Sequence, residues 1–195
     1  MNYRLLNEVL IEWNESSKED SDNIFLKSED IKKSLERYFV YRLDKKDQIK
    51  IFDGADWPEL EKYKDKVWIN GKHIKLDNIG WTNMEFTPGE YKVYIKDIDK
   101  VTDMTYMFYD CEQLVSAFIP NSVTSIGSSA FGYCAGLTNI TIPNSVTTIG
   151  NSAFYDCRNL KTVYVEDINK FNQIEFKGVY ADPRYYDIEV IEIKK

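Results

Sequence analysis

The sequence predicts an α+β chain in which a short solenoid of parallel β coils stands C-terminal to a small α+β domain with a helical N-terminus. Three observations predict it. Residues 117–139 and 140–162 are nearly the same text. Each copy alternates apolar and polar residues before a proline stops it. Residues 1–93 share none of this and instead carry helical spacing followed by a hairpin signal. A chain of 195 residues with 43% hydrophobic side chains can bury a core in one large domain or two small ones.

In chain order, "LLNEVLIEW" places Leu6, Val9, Leu10 and Trp13 at helical spacing. "SEDIKKSLERYF" begins with Ser28 as an N-cap, with Glu29 and Asp30 in the first turn. Two short helices are therefore expected in a segment spanning 1–40, separated by the polar linker "NESSKEDSDN". A β-rich region follows over 41–93. "YFVYRLDKKDQIKIF" and "KVWINGKHIKL" read as strands, the second broken by the Asn70-Gly71 hairpin turn.

The repeats occupy about 94–166. Identities at a period of 23 include Ile119/Ile142, Pro120/Pro143, Gly127/Gly150, Phe131/Phe154, Cys134/Cys157 and Leu137/Leu160. An earlier copy, "VTDMTYMFYDCEQL", keeps Phe108, Cys111 and Leu114 but is one residue shorter in its connecting turn. The sets Leu114/Ala117/Ile119, Leu137/Ile140/Ile142 and Leu160/Val163/Val165 end in a period-2 pair, which is a short strand with one face inward. Proline cannot extend a hydrogen-bond ladder, so Pro120 and Pro143 close these strands. A unit of this length cannot bury its own apolar side, so neighbouring units must stack. One strand per unit at a period of about 20–29 is the leucine-rich-repeat range. Residues 167–195 read as a cap, whose "YYDIEVIEIKK" alternates Ile188 and Val190 with the charges Asp187 and Glu189.

"IPNSVTTIGNSAFYDCRNLKTVYV" resembles the BspA-type leucine-rich repeats of bacterial surface proteins, whose units read I-P-x-S-V-x-x-I-G-x-x-A-F-x-x-C-x-x-L. "VTDMTYMFYDCEQL" is similar to the Met-Phe variant of that family, and "FTPGEYKVYIKDI" at 86–98 resembles a strand of the immunoglobulin-like module that often precedes such repeats. The resemblance implies a non-catalytic adhesion or protein-interaction module at a bacterial cell surface. It implies a protein partner, of which a host or cell-surface glycoprotein is one kind.

Charge and motifs narrow the chemistry. With 25 Lys plus Arg against 32 Asp plus Glu, net charge −7, a nucleic-acid partner is not expected. No apolar run approaches the ~20 residues of a bilayer span, so no membrane insertion is expected. The opening "MNYRLLNEVLIEWNE" sets Glu8 and Glu12 inside its apolar stretch and offers no small-residue cleavage site, so it does not read as a secretory signal. Localisation is thereby open between the cell surface or secretion that the resemblance implies and a cytoplasmic or virion-associated chain.

His73 is the single histidine, and no triad pattern surrounds it. Cys111, Cys134 and Cys157 form one column in a stack. Coils about 4.8 Å apart would allow a disulfide by distance, but side chains in a column point the same way, so free cysteines packing as small apolar residues are expected. The cysteine spacing and the single histidine do not suit a tetrahedral zinc site, and the chain has no full calcium-loop series and no phosphate-binding glycine loop, so neither metal nor cofactor is expected. The acidic groups Asp20/Asp22, Asp53/Asp56 and Asp97/Asp99/Asp103 read as solvated turns. Asn14-Glu15-Ser16 and Asn139-Ile140-Thr141 match the glycosylation triplet, the second on an expected strand.

What remains is surface. Residues 113–155 carry no charged side chain. On the strand side the outward column is Phe118, Thr141 and Tyr164, flanked by Ser116, Asn139 and Thr162. Aromatic side chains beside small hydroxyls offer rigid contact area and adaptable hydrogen bonds, which makes these six the candidate ligand-binding residues. Coverage of neighbouring coils or caps by Phe118 and Tyr164 is the competing account. Further readings are a structural or receptor-binding part of a virion, an enzyme or toxin-like activity in residues 1–93 with the repeats as targeting module, and a structural spacer. No catalytic residue can be named from the chain.

Overall fold

The computed structural model describes residues 2–6, 9–13, 38–53 and 56–193. The chain is mixed α+β, mostly sheet with short helices, consistent with a leucine-rich-type repeat.

The first elements correct the sequence. Strands β1 (Asn2–Leu6) and β2 (Val9–Trp13) pair antiparallel, with Leu5 opposite Leu10. A helix was expected over Leu6–Trp13. The same residues also contain the period-2 set Val9, Ile11 and Trp13, β-branched and aromatic, and over so short an apolar run periodicity cannot separate the two. The second expected helix, including Ser28, Glu29 and Asp30, lies outside the described residues up to its last two positions. Of those two, Phe39 belongs to strand β3 (Phe39–Leu43).

Helix α1 (Leu60–Tyr63) follows β3 and buries Leu60 and Tyr63. Strands β4 (Val67–Ile69) and β5 (Lys72–Ile74) form the expected hairpin. Asn70 and Gly71 both hold positive φ, 47° and 82°, as a tight two-residue turn requires. Strand β6 (Gly89–Ile95), the "GEYKVYI" segment, pairs antiparallel with β4 on one side and with β3 on the other. The boundary expected near residue 93 falls inside β6.

The repeats then lay down strands β7 (Leu114–Phe118), β8 (Ser125–Ile126), β9 (Asn139–Ile142), β10 (Thr148–Ile149) and β11 (Thr162–Val165). The long strands β7, β9 and β11 are parallel and in register at the sequence period: Ala117 faces Ile140, which faces Val163. The short strands do the same, with Ile126 beside Ile149. The bridge from Asp103 to Ser125 has an offset one residue smaller, matching the shorter turn of the first copy. Between the two ladders the buried rings of Phe108, Phe131 and Phe154 stack at 5.3 and 5.7 Å with interplanar angles of 14° and 3°. Gly150 sets how closely the coils approach: a Cβ there would lie 2.6 Å from the backbone nitrogen of Ser128.

After helix α2 (Ile168–Phe171), capped by the Asp167 carboxylate accepting from Asn169 N–H at 2.8 Å, one more coil is added. Its strands β12 (Glu175–Phe176) and β13 (Glu189–Glu192) pair parallel with β10 and β11 at an offset of 27. The "EVIE" edge strand is thus the last of the stack, with charged Glu189 and Glu192 at its ends. At the other end β3 pairs antiparallel with β7, Val40 opposite Ser116. Among the described residues one eight-stranded sheet therefore runs β13-β11-β9-β7-β3-β6-β4-β5, and one hydrophobic core extends from Phe39 to Ala181.

Candidate functional site

The six sequence-predicted residues come together on the outward face of β7, β9 and β11. Ser116, Asn139 and Thr162 stand directly opposite one another, as do Phe118, Thr141 and Tyr164, and all six are half-buried. The alternation follows from the strand period: Ala117, Ile140 and Val163 between them point inward and are buried. Ser116 Oγ donates to Asn139 Oδ1 at 2.6 Å. Phe118 packs against the buried ring of Phe39 in β3, with centroids 5.0 Å apart, so this residue also covers the junction with the N-terminal strands.

Part of the uncharged composition has a structural use. Thr138 Oγ1 donates to Val115 O at 3.0 Å, Thr147 Oγ1 to Thr124 O at 3.2 Å and Asn159 Nδ2 to Ala135 O at 2.7 Å, each tying one coil to the coil before it. The cysteine column is internal. Cys134 Sγ donates to Phe108 O at 3.0 Å and Cys157 Sγ to Phe131 O at 3.1 Å, and all three thiols are free. Burial pushes the thiols up, Cys157 to about 12, so they are packing groups rather than nucleophiles.

His73 is exposed on β5, its Nε2 2.8 Å from Asp65 O and its ring 4.8 Å from Trp68. Asp53 departs from the solvated turn expected of it. It is buried, with Lys50 Nζ 3.7 Å away, and that lysine also donates to Asp110 Oδ2 at 3.0 Å. Asp97 is held below the usual carboxylate range by hydrogen bonds from Lys66 and Lys100. Among the described residues no group of His, Cys, Asp and Glu is arranged to hold a metal, and no helix is long and apolar enough to cross a membrane.

Sequence reasoning did not find a second surface. Tyr109, Tyr133 and Tyr155, on the turns that follow the stacked phenylalanines, and Tyr180, on the turn after β12, pack ring to ring at 5.4, 5.1 and 4.9 Å. These tyrosines are out of phase with the repeat. Tyr109 and Tyr155 hold equivalent positions, but the central coil has Gly132 there and carries its tyrosine one residue later. A Cβ on Gly132 would come within 3.2 Å of the Tyr109 ring. Tyr133 instead adopts a positive φ of 60°, and its ring stands edge-on to both neighbours, at 85° and 84°. The result is a groove of about 450 Å³ lined by these rings together with Gly132, Ser129, Asn151, Ser152 and Val179. The signal in the sequence is a tyrosine in each of four successive turns, hidden by spacings of 24, 22 and 25.

Compared with known proteins, residues 103–181 match the family model described as the BspA type leucine rich repeat region, in six copies. The match begins at the short first copy and continues through α2 and β12, past the end of the 23-residue period. No curated protein and no solved structure matches the chain. Repeats of this type suggest a protein-interaction or adhesion module. The in-register strands, the phenylalanine stack and the cysteine column are the products of one repeated unit, and it is over residues 103–181 that the chain is similar to the BspA-type leucine-rich repeat family.

Proposed function

We propose that the repeats form a short solenoid whose strand face binds a protein partner, so that the chain acts in adhesion or protein recognition without covalent chemistry. In this reading residues 41–93 close one end of the stack, residues 167–195 close the other, and the partner is a cell-surface protein or glycoprotein. The carrying observation is the pair of uncharged columns, Ser116/Asn139/Thr162 and Phe118/Thr141/Tyr164, held in register across three strands. A rigid sheet presents these side chains at fixed spacing, so little ordering entropy opposes contact. Hydroxyl and amide groups beside aromatic rings suit an interface that is amphipathic on both sides.

The test places a photo-crosslinking amino acid at Thr141 and, as control, at Ser125 on the second ladder, and exposes the full chain to cell-surface protein. Crosslinks are expected from position 141 alone. Thr141→Lys sets a charge at the centre of the face and is expected to weaken the captured interaction about ten-fold, with thermal unfolding unchanged. Unaltered binding by Thr141→Lys, or crosslinking from position 125 alone, contradicts the reading.

A further inference from the structure

The geometry points to the tyrosine-lined groove as a second binding site, one that takes an uncharged, proline-rich segment in polyproline II conformation. One wall is aromatic, formed by Tyr109, Tyr133, Tyr155 and Tyr180. The other lining is small and polar, with the hydroxyls of Ser129 and Ser152 and the amide of Asn151. No charged side chain lines it. Asn151 Oδ1 already accepts from Val179 N–H at 3.0 Å, which gives its Nδ2 group the role of donor. Tyrosine, serine and asparagine together are thus rich in donors set beside apolar ring surface.

A polyproline II segment is the complement of that lining. Its carbonyls have no internal partner, its proline rings are apolar, and it is ordered before binding. The repeat agrees as well. Two ring-to-ring steps of 5.4 and 5.1 Å put Tyr155 at most about 10.5 Å from Tyr109, and one polyproline II turn of three residues advances about 9 Å. Prolines one turn apart therefore meet equivalent tyrosines on alternate coils, while the intervening carbonyls face the hydroxyl and amide donors.

Other peptide conformations fit less well. An added strand needs open backbone groups, but Ser129 N–H already donates to Asn151 O at 3.0 Å, Ser152 N–H to Val179 O at 2.7 Å and Tyr133 N–H to Tyr155 O at 2.6 Å. A helix about 10 Å across would fit barely one turn into a groove of this volume. Tyr133 at 38% and Val179 at 62% exposure leave the groove accessible from solvent.

The experiment is calorimetric titration of the full chain with acetylated, amidated decaproline. Saturable one-to-one binding is expected at peptide concentrations below about 1 mM. Tyr133→Ser, which removes the central ring, and Val179→Glu, which sets a charge at an exposed position of the groove, are each expected to weaken binding about ten-fold. Phe118→Ser leaves it unchanged, which separates this groove from the strand face. Circular dichroism melts confirm that the variants fold. Absence of saturable binding, or binding that survives both groove substitutions, overturns the proposal. So does a groove that takes neutral cellohexaose in a Tyr133-dependent way and rejects decaproline, which would make it a glycan site.

Discussion

Phe131→Ala is expected to lower the stability of the whole chain by about 3–5 kcal/mol. The ring is fully buried and lies between two others, Phe108 at 5.3 Å and Phe154 at 5.7 Å, both nearly parallel to it. Truncation removes the contacts on both faces at once, and neither neighbour can collapse into the space, because each is held by its own coil. The coils cannot close up either: Gly150 already sits where a single added carbon would overlap the backbone of Ser128. For a chain of this length such a loss corresponds to a fall of roughly 6–20 °C in Tm, readable by differential scanning calorimetry. Phe131→Leu, which refills most of the volume, is expected to cost much less. A loss below 1 kcal/mol for the alanine variant would mean that the phenylalanine stack is not the spine of the repeats.

Lys50→Met is the second large effect, and it acts where the N-terminal strands meet the first repeat. That junction is polar and enclosed. Asp53 N–H donates to Met107 O at 3.0 Å, Lys50 N–H to Gln113 Oε1 at 3.0 Å, and Gln113 Nε2 back to Gln48 O at 3.0 Å. Lys50 itself is 8% exposed and Asp53 5% exposed, so the methionine variant leaves a buried carboxylate without its lysine. Removing one partner of a buried pair costs about 3–5 kcal/mol, whereas replacing both by apolar residues is often neutral. Lys50→Met combined with Asp53→Leu is therefore expected to recover most of what Lys50→Met loses, in chemical denaturation followed by tryptophan fluorescence. Unfolding should stay a single transition, since one core runs through the junction. Equal losses in the single and double variants would show that the charge is not what matters there.

The repeat half of the chain is legible in its sequence because packing imposes the period directly. Ile140 must face Val163 and Phe131 must face Phe154, so the residues recur where the contacts recur. The outward residues Ser116, Asn139 and Thr162 follow by alternation alone. What is not legible departs from the period for a physical reason. The last coil is longer because α2 is inserted in it, and its strands pair at an offset of 27. The tyrosine ladder changes phase at Gly132, since one coil places its ring from the next residue. Leu6–Trp13 supports both periods over too few residues to decide between helix and strand. Asp53 looks like a turn residue beside Gly54, and only the fold brings Met107 against its backbone and encloses it with Lys50.

The central claim is that each coil lies on the one before it at a fixed register of one repeat. Nuclear Overhauser contacts between backbone protons of the isotope-labelled chain measure this register directly. The account predicts contacts linking Ala117 with Ile140 and Ile140 with Val163, in the pattern of parallel strands. Contacts offset by one residue from these, antiparallel patterns, or none between β9 and β11 would contradict it.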